Sequence, residues 1–518
     1  MSDAGSSGSE RVHLVTFTAH DTDDARNWST LKKVLVVAQV SLLTFTAGFG
    51  SPIFAPAELQ LIERFRVNQA TADSGLAVFV LGFSFGPLFC PMSEMYGRRL
   101  PFLISWPLLV VCTVPSAFST SVPVIIVFRL FAGCFAACAS NNGIGIITDM
   151  FDNSDVHARS KALAWLALTF CIGPCLALPV GFYVVAKAGP EFWVLRVFFF
   201  FTAALLPVVW LFPETHGPTI LANRAKKMRK EGVIGARAAH EEHHVSWGQI
   251  IAVHILRPAK MLLREPIIQG SCIWMGIASA VVYLMFEVYP IIYLEQHGFS
   301  VAFTGLPFFS LVIGFVLGVG FLPILLKFVL PIPFPKFLQP STVTSNSPEA
   351  IMKVSLIGCI LMPISLFWMA WTSQPETHWA ISAASGIPFA FSTLLVILTF
   401  VTYTSQTYSV YTNSASACNS FFRSIASAVL AIASHKIISS LGSNWGISLF
   451  GFLTFGLLPI PLIFLRYGQN MRAKSRFAQE ASSIVEKTLE VASDNTSVER
   501  GDELEVEKRV SLTSSSEV

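Results

Sequence analysis

Apolar residues gather in twelve long runs separated by short polar breaks, at about 34–57, 71–92, 100–118, 122–147, 162–185 and 192–212, then 267–294, 303–326, 351–372, 379–403, 408–433 and 447–465. Each is long enough to cross a hydrocarbon layer of roughly 30 Å as a tilted helix. The longest break, 213–266, is polar, carries nine Lys and Arg, and separates six runs from six. The pattern predicts an all-α membrane protein of twelve transmembrane helices. Its divisions are an N-tail over 1–30, six helices over 31–212, a linker over 213–266, six helices over 267–466 and a C-tail over 467–518. Both tails are polar: the first lacks the apolar core of a secretory signal, and the second, charged and Ser-rich, reads as largely disordered.

Composition agrees. Of 518 residues 53% are hydrophobic and 13% charged, with a mean hydropathy of +0.60, whereas soluble domains carry about 25% charged residues. A net charge of +3 is too small to point to a nucleic-acid partner. The nine cysteines sit in apolar runs and read as packing residues rather than a disulfide framework. With the N-terminus inside, the inner segments hold 28 Lys and Arg and the outer loops 5, which predicts cytosolic termini and linker. The sequons at Asn27 and Asn495 would then face the cytosol and stay unused.

Several short patterns carry chemistry. Between the second and third runs, PMSEMYGRR places Glu94 before Gly97, Arg98 and Arg99, an acid and two arginines at a tight turn that can lock two helix ends together; plain positive-inside anchoring is the simpler account. Arg129 lies within the fourth run, four residues before Gly133. A guanidinium there faces a cavity or a carboxylate, or else snorkels toward the headgroups. Glu287, in VVYLMFEVYPIIY, is a carboxyl in apolar surroundings suited to proton exchange, or a structural hydrogen-bonding acid. Around it Tyr283, Phe286, Tyr289 and Tyr293 either line a cavity or pack. The segment TYTSQTYSVYTNSASACNSFFRSIAS is unusually polar and contains Gln406, Asn419 and Arg423, which argues for a water-filled face. His240, Glu241 and His244 spell H-E-x-x-H, but in a short connector without a convincing third ligand they read as part of an amphipathic helix and not a zinc site.

The PMSEMYGRR loop, with DDARNWS, FPETHGP, RPAKMLLREP and MFEVYPIIYLEQHGF in order along the chain, resembles the major facilitator superfamily, in its fungal twelve-span drug:proton antiporter branch. The resemblance implies two pseudo-symmetric six-helix bundles with a substrate cavity between them. It implies a charge relay of Glu94, Arg98 and Arg99, with Asp149 joining it, and proton coupling at Glu287 or Arg129. Candidate cavity residues are Arg129, Tyr283, Glu287, Gln406, Asn419 and Arg423. The antiporter signature of span five is degenerate: Gly173, Pro174 and Gly181 match, while Ala177 and Leu178 replace its second Gly-Pro. Gln406 stands where the family usually has an aspartate between tyrosines matching Tyr403 and Tyr408.

The expected function is secondary active export of a small organic molecule, a drug or secondary metabolite such as an organic acid, by proton antiport across the plasma membrane. Proton-uncoupled facilitated export of an organic acid or other metabolite is the alternative. No cofactor, metal or catalytic residue is expected, and the protein is expected to be a monomer in the lipid bilayer.

Overall fold

The computed structural model describes residues 13–18, 21–151, 155–188, 193–233, 236–238, 252–332 and 347–484. Nine helical stretches among them are long and apolar enough to cross a bilayer; the last, Trp379–Lys474, holds three spans, and a broken helix over 69–96 supplies the remaining one. The twelve spans are therefore Thr30–Ala57, 69–96, Arg99–Phe118, Val122–Met150, Val156–Ala188, Trp193–Trp210, Pro266–Gln296, Val301–Val329, Pro348–Thr372, 379–408, 412–441 and 443–474.

Local chemistry sets several boundaries. Ser29 caps span one by accepting from the Lys32 N–H, and Asn68 caps span two by accepting from the Thr71 N–H at 2.9 Å. Span two changes from α-helix at Gln69–Gly82 to a 3-10 turn at Phe83–Phe89, where Pro87 interrupts the ladder, and resumes at Cys90–Tyr96. Spans eleven and twelve differ from expectation: no long loop separates them, and Gly442 alone, at φ 76° and ψ 161°, breaks the helix. The intervening HKIISSLGSNWG contains no proline, so nothing else forces the chain out of helix.

Helix pairing repeats between the halves. Span one packs on five, two on four and three on six; seven packs on eleven, eight on ten and nine on twelve. Small residues bring the partners close: a Cβ at Gly133 of span four would lie 2.1 Å from the Phe79 carbonyl oxygen of span two. Buried indoles are satisfied across spans, with Trp106 donating to the Thr202 carbonyl and Trp274 to the Leu457 carbonyl, each at 3.0 Å. The halves meet where span two runs along span eleven and span five against span eight.

The N-terminal segment docks on the connector. His13–Leu14 pairs in parallel with Ala236–Arg237, and Arg224 of the helix Gly217–Lys230 donates to Asp21 at 2.6 and 2.9 Å and to Asp23 at 2.7 Å. Those bonds hold the Asp21 carboxyl well below its usual range, at about 2. The H-E-x-x-H residues His240, Glu241 and His244 lie outside the described residues, as does Asn495.

Candidate functional site

The turn between spans two and three organises a charge cluster. Arg98 donates from Nε to Asp149 of span four at 2.8 Å and from Nη1 to Ser93 at 2.9 Å; Ser93 in turn donates to Asn142, which donates back to the Arg98 carbonyl at 2.8 Å. Glu214 accepts the backbone N–H groups of Arg98 and Arg99 at 2.8 and 3.1 Å, so the carboxylate after span six caps the start of span three. Arg99 also reaches the Trp210 carbonyl at 3.0 Å. Glu94 faces the other half, accepting from Asn413 at the start of span eleven at 2.6 Å. Arg98 and Asp149 thus meet, while Glu94 bridges the halves. Glu214 has no counterpart among the residues singled out in the sequence, although its FPETHGP segment stood out.

Glu287 lies with two acids that the sequence reading passed over. Oxygens of Glu58, Asp73 and Glu287 lie within 4.8 Å of one another, and the three residues are 5%, 1% and 7% exposed. Glu58 follows span one and Asp73 is in span two, whereas Glu287 is in span seven, so the cluster straddles the two halves. Gln69 donates to Asp73 at 2.7 Å, but one oxygen of each carboxyl has no hydrogen-bond partner. Asp73 was discoverable, being an acid inside an apolar run. Glu58 was not, because AELQLIERFR reads as a polar loop.

Arg129, beside this cluster, is 1% exposed and serves the first half internally. Its Nε donates to the Gly75 carbonyl at 2.6 Å, its Nη2 to the carbonyls of Gly50 and Ser51 at 3.1 Å each, and the guanidinium lies between the Phe54 and Phe79 rings at 4.5 and 5.0 Å. It does not line the cavity described next.

That cavity lies between the halves. Spans one, two and five supply Gly48, Phe83, Phe170 and Pro174, and the second half supplies Tyr283, Phe286, Phe315, Thr393 and Arg423. Of the remaining sequence candidates, Asn419 is buried a turn away, accepting from Cys272 Sγ at 3.1 Å. Gln406 is exposed at the end of span ten, since the helix Gly386–Tyr408 runs past the tyrosine at which that span was expected to stop. Tyr403 and Tyr408 are buried, and Tyr408 donates to Glu265 at 3.0 Å. Tyr289 and Tyr293 pack on each other with ring centroids 5.4 Å apart.

Two repeated six-helix bundles with a cavity between them and ionisable groups at their junction define a membrane transporter of the two-bundle class. Residues 40–431 match the family model described as Major Facilitator Superfamily, and the chain belongs to that family. It is 30% identical to the MFS-type efflux pump MFS2 of Trichophyton rubrum, over 94% of this chain and 81% of that one. It is likewise 30% identical to the citrinin biosynthesis cluster MFS transporter mrr1 of Monascus ruber, over 90% of this chain and 93% of that one. Among solved structures the proton:xylose symporter XylE superposes with a TM-score of 0.58 at 15% identity, covering 85% of this chain and 97% of that one, a likeness of fold alone.

Proposed function

We propose that this transporter exports a small organic molecule, a drug or secondary metabolite, in exchange for protons. The observation that carries the reading is the Glu58, Asp73 and Glu287 cluster across the two halves. Three negative charges this close and shut away from water repel strongly, and proton uptake removes the repulsion. Protonation therefore favours the approach of the halves at this point, and deprotonation favours their separation, which links proton movement to alternating access. Export is supported by the efflux relative and by the biosynthesis-cluster relative. In this reading the face bearing the termini and the 213–266 connector is cytosolic, the membrane is the plasma membrane, and a monomer suffices. The cluster of Arg98, Arg99, Asp149 and Glu94 then acts as a gate on the cytosolic side.

The substrate is identified first by comparing metabolites inside and outside cells with and without the gene. Its uptake is then measured in vesicles under an imposed pH gradient. Wild-type transport should follow the gradient, and Glu287→Gln should flatten the pH dependence while leaving the protein folded. Gradient-independent transport by the wild type overturns proton coupling and leaves facilitated export, whereas an unchanged pH profile in the variant makes Glu287 a structural acid and not the proton site.

A further inference from the structure

Among the described residues that line the cavity between the halves Arg423 is the single charged side chain, and its environment differs from that of the other arginine within a span. Arg129 has three carbonyl acceptors. Arg423 makes no hydrogen bond and no ion pair among the described residues; its guanidinium lies 5.4 Å from the centre of the Phe170 ring, across the junction between the halves. No carboxylate lines the cavity among the described residues. The rest of the wall combines aromatic rings at Phe83, Phe170, Phe286 and Phe315 and hydroxyls at Tyr283 and Thr393 with aliphatic and other small side chains. Arg423 is partly buried; a guanidinium held there without acceptors is costly, and its five N–H donors form a planar fork suited to a carboxylate.

We infer that Arg423 is the anchor for an anionic group on the transported molecule, and that the preferred substrates are aromatic carboxylic acids. The carboxylate engages the guanidinium fork, and the ring system packs on Phe170 and Phe286, so that one ligand touches both halves. This rests on the transport reading above but not on proton coupling, since it concerns what occupies the cavity. Within that reading it names the substrate class.

The test uses the full chain in lipid nanodiscs, with benzoate, 1-naphthoate and 2-naphthoate as probes and their methyl esters as neutral counterparts of nearly the same shape. Binding is read as the concentration-dependent rise in unfolding temperature. At least one acid should bind at least tenfold more tightly than its ester. Arg423→Gln should weaken that acid at least tenfold while leaving the ester within about twofold, and Arg423→Lys, which keeps the charge and loses the fork, should fall between. If Arg423→Gln unfolds without ligand, the Arg423→Lys comparison decides, with equal acid binding to wild type and Lys variant counting against the anchor. Absence of binding by every acid, equal binding of acids and esters, or undiminished acid binding in the folded Gln variant each overturns the inference. Failure of proton coupling appears separately, as acid binding and transport that ignore the pH gradient.

Discussion

Arg129 and Arg423 occupy similar apolar helices, yet only their three-dimensional neighbours separate a structural arginine from one that faces a cavity. Arg129 ties spans one, two and four through the carbonyls of Gly50, Ser51 and Gly75. Removing it strands those acceptors in a dry interior. Arg129→Met should therefore lower stability by about 3 kcal/mol, the order expected when a buried charged group is removed and its partners are left unsatisfied. Chemical unfolding in detergent measures this, and a loss under about 1 kcal/mol would show that the carbonyls find other donors. The carboxyl cluster makes the complementary case, because Glu58, Asp73 and Glu287 become meaningful only when spans one, two and seven converge.

At the scale of elements, the turn at Gly97 joins spans two and three under a tight constraint. Its φ is +95°, and a Cβ there would sit 2.4 Å from Glu214 Oε2, the oxygen that accepts the Arg99 N–H. Gly97→Ala should cost about 1 to 2 kcal/mol through backbone strain and displacement of the cap. Glu214→Gln, which keeps the shape and loses the charge, should cost about 1 kcal/mol or less. Thermal unfolding of the two variants side by side checks the order; a Gln variant as damaged as the Ala variant would show that the charge matters as much as the turn. The connector gives a pH prediction. The Asp21 carboxyl is depressed from 3.8 to about 2 by Arg224, so its contribution is complete above 3.8 and is lost as pH falls through about 2. Proteolysis of the N-terminal segment should accordingly be slow and flat from pH 7 to 4, while Arg224→Gln should speed it throughout that range. Equal rates in wild type and variant would show that the ion pair does not hold the segment.

At the scale of the molecule, one charge contact stays within the first half and another crosses between the halves. Arg98 links span three to span four through Asp149, and Glu94 links the first half to span eleven through Asn413. If this cluster acts as the proposed gate, Arg98→Gln should lower turnover several-fold while leaving substrate affinity within a few-fold, because its bonds lie away from the cavity. Transport kinetics and equilibrium binding on the same preparation separate these effects. Collapsed affinity with normal exchange rates would remove Arg98 from the gate.

The sequence by itself determined the twelve spans, their six-and-six division and the family. Hydrocarbon demands about 20 apolar residues per helix, and that requirement is written directly in the chain. It also singled out Arg98 with Asp149, Glu287 and Arg423, since ionisable residues in or beside apolar runs stand out against their surroundings. Tertiary structure decided which of these meet. Glu58 joined Asp73 and Glu287 from a segment that looked like a polar loop; Glu214 capped a helix more than a hundred residues away; Gln406 fell outside the cavity because span ten continues through Tyr408. The physical reason is that apolar length is a local property, whereas hydrogen-bond satisfaction and electrostatic pairing depend on distances between segments remote in sequence. Helix packing sets those distances.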